Sequence, residues 1–100
     1  MADHEQILER WEFPFEQRHG ITLVAKNNAV DCIKRIYSEN CRFYGYDSFT
    51  IDSNNQIQPH LEWSPSWESG SIPSCREILS QINRHPDEIT HYEFIFEDDL

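Results

Sequence analysis

Histidine and cysteine, the residues that most often act as bases, nucleophiles and metal ligands, occur in this chain without a recognisable catalytic spacing. The 100 residues include five histidines and three cysteines, but no G-x-S-x-G elbow, glycine-rich phosphate loop or H-E-x-x-H helix. His19, His60, His85 and His91 fall on different predicted elements, and no helix carries a ligand pair at i, i+3 or i+4. We therefore expect a protein that is not an enzyme and that holds neither a metal nor a cofactor.

The cysteines indicate a reducing compartment. Cys32, Cys41 and Cys75 are odd in number and lack C-x-x-C spacing, which favours reduced, partly buried thiols in a cytoplasmic protein. The polar, acidic start of the chain is unlike a signal peptide, which agrees with that compartment. The two residues of a catalytic Cys–His pair need not be close in the sequence, because the fold can bring them together. A small α+β ligand-binding or enzymatic domain, with a pocket built from His60, His91 and a cysteine, therefore stays open as an alternative.

Carboxylates are the abundant charged groups, and their excess limits the classes of partner. Eighteen acidic residues against eight basic ones give a formal net charge of -10. This balance argues against binding to nucleic acid phosphates or to an anionic membrane. It favours a soluble protein with a basic partner. The alternative is that the charge serves solubility and keeps the chain monomeric.

Helix signals occur three times. Asp3 and Gln6 form a capping box, a helical period runs from Asn28 to Glu39, and Ser74 with Glu77 forms a second capping box. The predicted apolar positions are Ile7, Leu8 and Trp11 in the first helix, Val30, Ile33 and Tyr37 in the second, and Ile78, Leu79 and Ile82 in the third.

Strand patterns occupy the remaining segments, namely Ile21–Val24, Arg42–Ile51, Ile57–Trp63 and Ile89–Glu97. Gly45 is a candidate bulge, and Pro59 predicts an edge strand because it cannot donate to a ladder. We expect one domain over residues 1–100, an N-terminal helix followed by β-α-β-β-α-β. This is the split β-α-β pattern of ferredoxin-like α+β folds, with helices on one face of a small, largely antiparallel sheet. If the short Ile21–Val24 run is a loop, three strands remain.

The acidic residues and one tryptophan form a candidate surface. If the last strand pairs with the hairpin, the carboxylates of both strands share a face with those of the loop that follows the hairpin. Trp67 lies outside any periodic pattern, so it either packs this loop onto the core or anchors a partner. The candidate contact residues are Tyr46, Asp47, Asp52, Glu62, Trp67, Glu68, Glu93 and Glu97. We expect Asp98, Asp99 and Leu100 to form a frayed acidic end.

The segment from Asn40 to Phe49, with Ile57-Gln-Pro59, Ser64-Pro65 and Trp67, resembles a small family of bacterial immunity proteins from polymorphic-toxin and contact-dependent growth inhibition systems. The resemblance covers about residues 21–70, where a helix leads into a G-Y-x-x-F strand and then an I-x-P strand. It implies a cytoplasmic protein that binds the C-terminal domain of a toxin, often a nuclease, and blocks its active site. It assigns no role to individual residues.

Electrostatics supports the same hypothesis without the resemblance. A nuclease attracts nucleic acid with a positive cleft, so a protein that fills this cleft should be acidic, and its charge should raise the association rate. The runner-up is an acidic nucleic-acid mimic from a phage or plasmid that inhibits a host or defence protein.

Overall fold

Three helices and a five-stranded antiparallel sheet form the α+β fold predicted from the sequence. The computed structural model describes residues 3–68 and 70–98. The elements are α1 (His4–Arg10), β1 (Glu16–Arg18), β2 (Ile21–Ala25), α2 (Lys26–Ser38), β3 (Arg42–Ile51), β4 (Ile57–Pro59), a 3₁₀ turn (Leu61–Trp63), α3 (Cys75–Asn83) and β5 (His91–Glu97).

The last strand lies in the middle of the sheet, which has the order β1-β2-β5-β3-β4. Because β5 is antiparallel to both β2 and β3, these two strands run parallel with β5 between them, and helix α2 connects them. The split β-α-β arrangement is therefore present. Tyr92, Phe94 and Phe96 project from β5 into one core that all three helices help to form, as their alternation predicts.

Strand β1 is an element that the sequence reasoning missed. Its three residues are polar, and they pair with β2 through a two-residue turn formed by His19 and Gly20. Both turn residues have positive φ, 52° and 79°, which is the backbone geometry of a type I′ hairpin. The hairpin also confirms Ile21–Val24 as part of a strand.

Helices α1 and α3 begin where their caps predict. Asp3 accepts from the Gln6 N–H and the reciprocal bond is present, while Ser74 accepts from the Glu77 N–H. Helix α2 instead begins at Lys26, two residues before the predicted Asn28.

The early start of α2 has a tertiary cause. No side chain caps this helix, but the Lys26 N–H donates to the Thr90 carbonyl at 2.8 Å, just before β5. A local pattern cannot reveal this bond. The buried face of α2 also differs from the prediction, because Val30 is only partly buried and the buried positions are Ala29, Cys32, Ile33 and Ile36.

The second hairpin is shorter than predicted. Strand β4 ends at Pro59 and lies at the sheet edge, as the proline predicts, but the continuation of the strand to Trp63 is wrong. Residues Leu61–Trp63 form a 3₁₀ turn, because Ser64 Oγ accepts from the Ser48 N–H at 3.0 Å and donates to the His60 carbonyl at 2.7 Å. These bonds fold the chain back onto β3.

Asp98, which directly follows β5, is not frayed. It is buried, and its carboxylate binds the guanidinium of Arg10 at 2.7 Å, so the end of β5 is fastened to α1. Asp99 and Leu100 lie outside the described residues.

Gly45 forms the predicted bulge, and the loop after the 3₁₀ turn runs antiparallel beside β3 at this point, where Ser66 pairs with Gly45. The Tyr46 N–H donates to the Pro65 carbonyl at 3.1 Å, and the Trp67 N–H donates to the Tyr44 carbonyl at 2.8 Å. A Cβ on Gly45 would lie 2.5 Å from the Pro65 carbonyl oxygen and 2.8 Å from the Ser66 Cα. Only glycine permits this close contact between strand and loop.

We predict that Gly45→Ala lowers the free energy of unfolding by about 2 kcal/mol or more, because two backbone segments must separate. Chemical denaturation measures the loss. Gly20→Ala is the matched control, since its Cβ would meet nothing within 4 Å and only the strain of φ +79° remains, about 1 kcal/mol. Equal losses in the two variants would contradict the role assigned to the pairing of the loop with β3.

Candidate functional site

The sheet face opposite the Tyr92, Phe94 and Phe96 side chains carries two opposed carboxylates, Asp47 and Glu93. They are directly paired residues on β3 and β5. Glu93 accepts from the Thr22 N–H at 3.0 Å and lies 3.2 Å from Nε2 of His4. Among residues 3–68 and 70–98, the carboxylate of Asp47 has no hydrogen-bond or ion-pair partner. Partial burial, and secondarily the charge of Glu93, raise the pKa of Asp47 above its ordinary value.

A third carboxylate extends this surface along β5. Glu97 accepts from the Tyr44 hydroxyl at 2.6 Å, and this bond raises the pKa of Tyr44. Asp47, Glu93 and Glu97 therefore lie on adjacent strands, as expected if the last strand pairs with the hairpin. We call these three residues the acidic sheet face.

The other predicted acidic contacts are placed elsewhere. Asp52 lies in the exposed turn between β3 and β4, where Oδ1 accepts from the N–H groups of Asn54 and Gln56 at 2.8 and 3.0 Å. Glu62 is exposed on the 3₁₀ turn, and Glu68 is exposed in the loop that follows. The eight candidate residues thus do not form one continuous surface.

Trp67 packs onto the core and also lines a cleft. Its ring centroid lies 6.2 Å from that of Phe43 and 6.3 Å from that of Tyr46, and the side chain is partly buried. Of the two alternatives for this residue, packing of the loop is therefore the one that the contacts favour. Tyr46 is 1% exposed, so it offers a protein partner almost no surface.

The cleft has a volume of about 480 Å³ and lies between α3 and the loop after the 3₁₀ turn. Volumes of this size are common for sites that hold small molecules. Aromatic rings supply most of the walls, and the polar groups lie at the floor and the rim. We call it the tryptophan cleft, and the residues that line it are Tyr46, Glu62, Trp63, Pro65, Trp67, Gln81, Arg84 and His85.

His85 at the floor of this cleft is held neutral. Burial, aided by the charges of Lys26 and Arg84, lowers the pKa of His85 to about 4. The imidazole contacts the Trp63 ring, with centroids 4.9 Å apart. A neutral imidazole has one donor nitrogen and one acceptor nitrogen, so its neighbours determine the tautomer.

The hydrogen bonds around His85 form a directed chain. The Tyr46 hydroxyl donates its single proton to Oε1 of Gln81 at 3.0 Å. Nε2 of His85, 3.3 Å from the same hydroxyl oxygen, must therefore be the donor in that contact. Nδ1 is then the acceptor, and it receives the proton of the Tyr92 hydroxyl at 2.9 Å. The chain runs Tyr92 to His85 to Tyr46 to Gln81.

The two histidines of the alternative pocket, His60 and His91, each lie against a neighbouring polar side chain. Nε2 of His60 lies 2.6 Å from Oγ1 of Thr50, and Nε2 of His91 lies 2.9 Å from Glu16. Cys32 lies on the buried face of α2, where desolvation raises the pKa of its thiol to about 12. No disulfide links the cysteines, which all lie in the described segments, and no described group of His, Cys, Asp and Glu is arranged to hold a metal ion.

The functional candidates that sequence reasoning missed are Gln81, Arg84 and His85. Their sequence signals are a helix C-terminus and a His-Pro turn, which are ordinary features. They become a site only because the fold brings the end of α3 beside Tyr46 of β3 and the loop that pairs with this strand.

No family model, curated protein or solved structure matches this chain. Within the part of the chain that the structure describes, no helix combines the length and apolar character needed to cross a membrane.

We predict that stability falls by about 1–2 kcal/mol between pH 7 and pH 5 because of His85. An unfolded histidine takes up a proton near pH 6.5, whereas folded His85 does so only near pH 4, so acid favours the unfolded state. Denaturant titrations of wild type and His85→Gln over this range measure the effect. The variant should have the flatter profile, with a residual slope because burial also lowers the pKa of His91.

The exposed His19 provides the control, since His19→Gln removes a histidine that is not buried. This variant should keep the wild-type slope. An unchanged slope in His85→Gln would show that the floor of the cleft is hydrated and that the chain of hydrogen bonds is not maintained.

Proposed function

We propose that this protein is an inhibitor that binds a basic protein domain through its acidic sheet face, in the manner of an immunity protein that neutralises a toxin domain. The observation that carries the proposal is the pairing of Asp47 with Glu93 on neighbouring strands. Like charges directly opposite each other destabilise a sheet. No described lysine or arginine pairs with Asp47 to offset this cost.

A basic partner would supply the missing countercharge. A lysine or arginine placed over Asp47 and Glu93 would relieve their repulsion and favour the ionised form of Asp47. The stability lost in the free protein would then be regained in the complex. Plain solubility does not require two acids to face each other on a partly buried surface.

The rigidity of the surface also supports this function. Asp47 and Glu93 lie on β3 and β5, the most extensively paired strands, and Tyr44 fixes the carboxylate of Glu97. A charged face that is ordered before binding loses little conformational entropy in the complex. The net charge of -10 would raise the association rate with a positive cleft such as that of a nuclease.

We predict that co-expression of this protein restores growth to cells that produce the C-terminal toxin domain encoded by the gene immediately upstream, and that the two proteins co-purify.

Asp47→Lys should lower the association rate about tenfold at low salt and weaken rescue, because it places a cation where the partner's cation must lie. Stopped-flow mixing at rising salt measures the rate, which should fall for wild type.

Asp31→Lys is the matched control. It makes the same charge change at an exposed position of α2, in the helical layer. It should retain more of the association rate than Asp47→Lys. Equal loss in both variants would show that only net charge matters, and absence of rescue and binding would refute the toxin hypothesis. Binding to several unrelated nucleic-acid enzymes would instead identify a nucleic-acid mimic.

A further inference from the structure

We propose that the tryptophan cleft is a binding site for a small planar aromatic ligand that carries a hydrogen-bond acceptor, such as a carboxylate or an amide carbonyl. This site is separate from the acidic sheet face. Tyr46 and Asp47 are successive residues of β3, and successive side chains of a strand point to opposite faces. The two proposals therefore stand or fall independently.

The walls of the cleft fit a flat apolar ring. Trp63 and Trp67 are both partly buried, so the cleft presents large aromatic surfaces that already have fixed neighbours. Aromatic rings pair favourably in offset or tilted arrangements. The volume of about 480 Å³ accommodates a molecule larger than one side chain.

The polar groups of the cleft are mainly donors. Oε1 of Gln81 accepts from Tyr46, so this bond leaves the Nε2 hydrogens of the amide without a partner among the described residues. The indole N–H groups of Trp63 and Trp67 also have no partner there. None of these unpaired donors is buried. Arg84 adds a guanidinium at the rim.

Acceptors are scarce in the same place. Both nitrogens of His85 are engaged, one with Tyr46 and one with Tyr92. The carboxylate of Glu62 is the exception, but it is 63% exposed and lies 3.5 Å from Nδ1 of His60. A cationic ligand would therefore meet Arg84 without a buried counterion, whereas an acceptor would meet several donors.

The chain of hydrogen bonds gives Gln81 a positioning role. The hydroxyl of Tyr46 holds the amide oxygen and thereby determines which end of the amide faces a ligand. Removing this hydroxyl would let the amide rotate. Tyr46 and Gln81 should thus affect the same contact, one by orienting the donor and the other by supplying it.

Titration with benzoate, benzamide and benzamidine tests the proposal on the wild-type protein. The three probes share a ring and differ in the head group, which is an anionic acceptor, a neutral carbonyl and a cationic donor. Two-dimensional ¹H–¹⁵N spectra report separate indole resonances. Those of Trp63 and Trp67 should shift saturably with benzoate and benzamide, while that of Trp11, which stacks on Phe96 beneath α1, should not.

Benzamidine should bind about tenfold more weakly than benzamide, the effect expected from the loss of one hydrogen bond. Dissociation constants in the millimolar range suffice for probes of this size. Benzoate is both an acceptor and an anion, and the acidic protein repels anions at long range. Benzamide offers the acceptor without the negative charge, so it tests the acceptor alone. Tightest binding by benzamidine, or no saturable shift with any probe, would overturn the proposal.

Variants test the donor directly. Gln81→Leu should weaken benzamide about tenfold, and Tyr46→Phe, which keeps the ring, should weaken it by a smaller factor. Gln58→Leu on the exposed edge strand is the matched control and should bind as wild type does. An unchanged Trp11 resonance verifies that each variant is folded. Equal affinity of Gln81→Leu and wild type would refute the role of the amide.

Discussion

The backbone pairing of Gly45 with Ser66 is the constraint on which both candidate surfaces depend. The absence of a Cβ lets the Pro65 carbonyl reach the Tyr46 N–H and lets the Trp67 N–H reach the Tyr44 carbonyl. These bonds press the loop against β3 and place the Trp67 ring on the core, where it forms a wall of the tryptophan cleft. The bulge at the same position determines which residues of β3 face β5, and so it aligns Asp47 with Glu93.

Sequence reasoning succeeds where the determining interactions are local. Asp3 and Ser74 cap helices through residues three positions away, and the alternation of Tyr92, Phe94 and Phe96 identifies the buried face of β5. It fails where a distant backbone group substitutes for a local signal. The start of α2 depends on the Thr90 carbonyl, and the 3₁₀ turn after β4 depends on Ser48. The cleft is harder still to foresee, because its residues come from a strand, a loop and a helix.

The excess of acidic residues is the most informative feature of the composition, and the fold distributes their carboxylates unevenly. The pairing of β3 with β5 collects Asp47, Glu93 and Glu97 on one side of the sheet. Other acids have local structural partners instead, as Asp52 does in its turn and Asp98 with Arg10. A carboxylate that already stabilises the free protein has less to gain from a partner. Asp47, which lacks such a contact among the described residues, is thus the most informative position for the proposed interface.

The alternation of a single strand explains how one small domain can carry two unrelated surfaces. The side chain of Tyr46 lies on the core side, where its hydroxyl orients the amide of Gln81. The side chain of Asp47, the next residue, lies on the opposite side beside Glu93. The β3–β5 ladder lies between the two, and the loop that pairs with Gly45 supports it. Because a packed sheet resists small deformations, a ligand in the cleft would leave the spacing of the two carboxylates unchanged. Occupancy of one surface should therefore neither require nor prevent occupancy of the other.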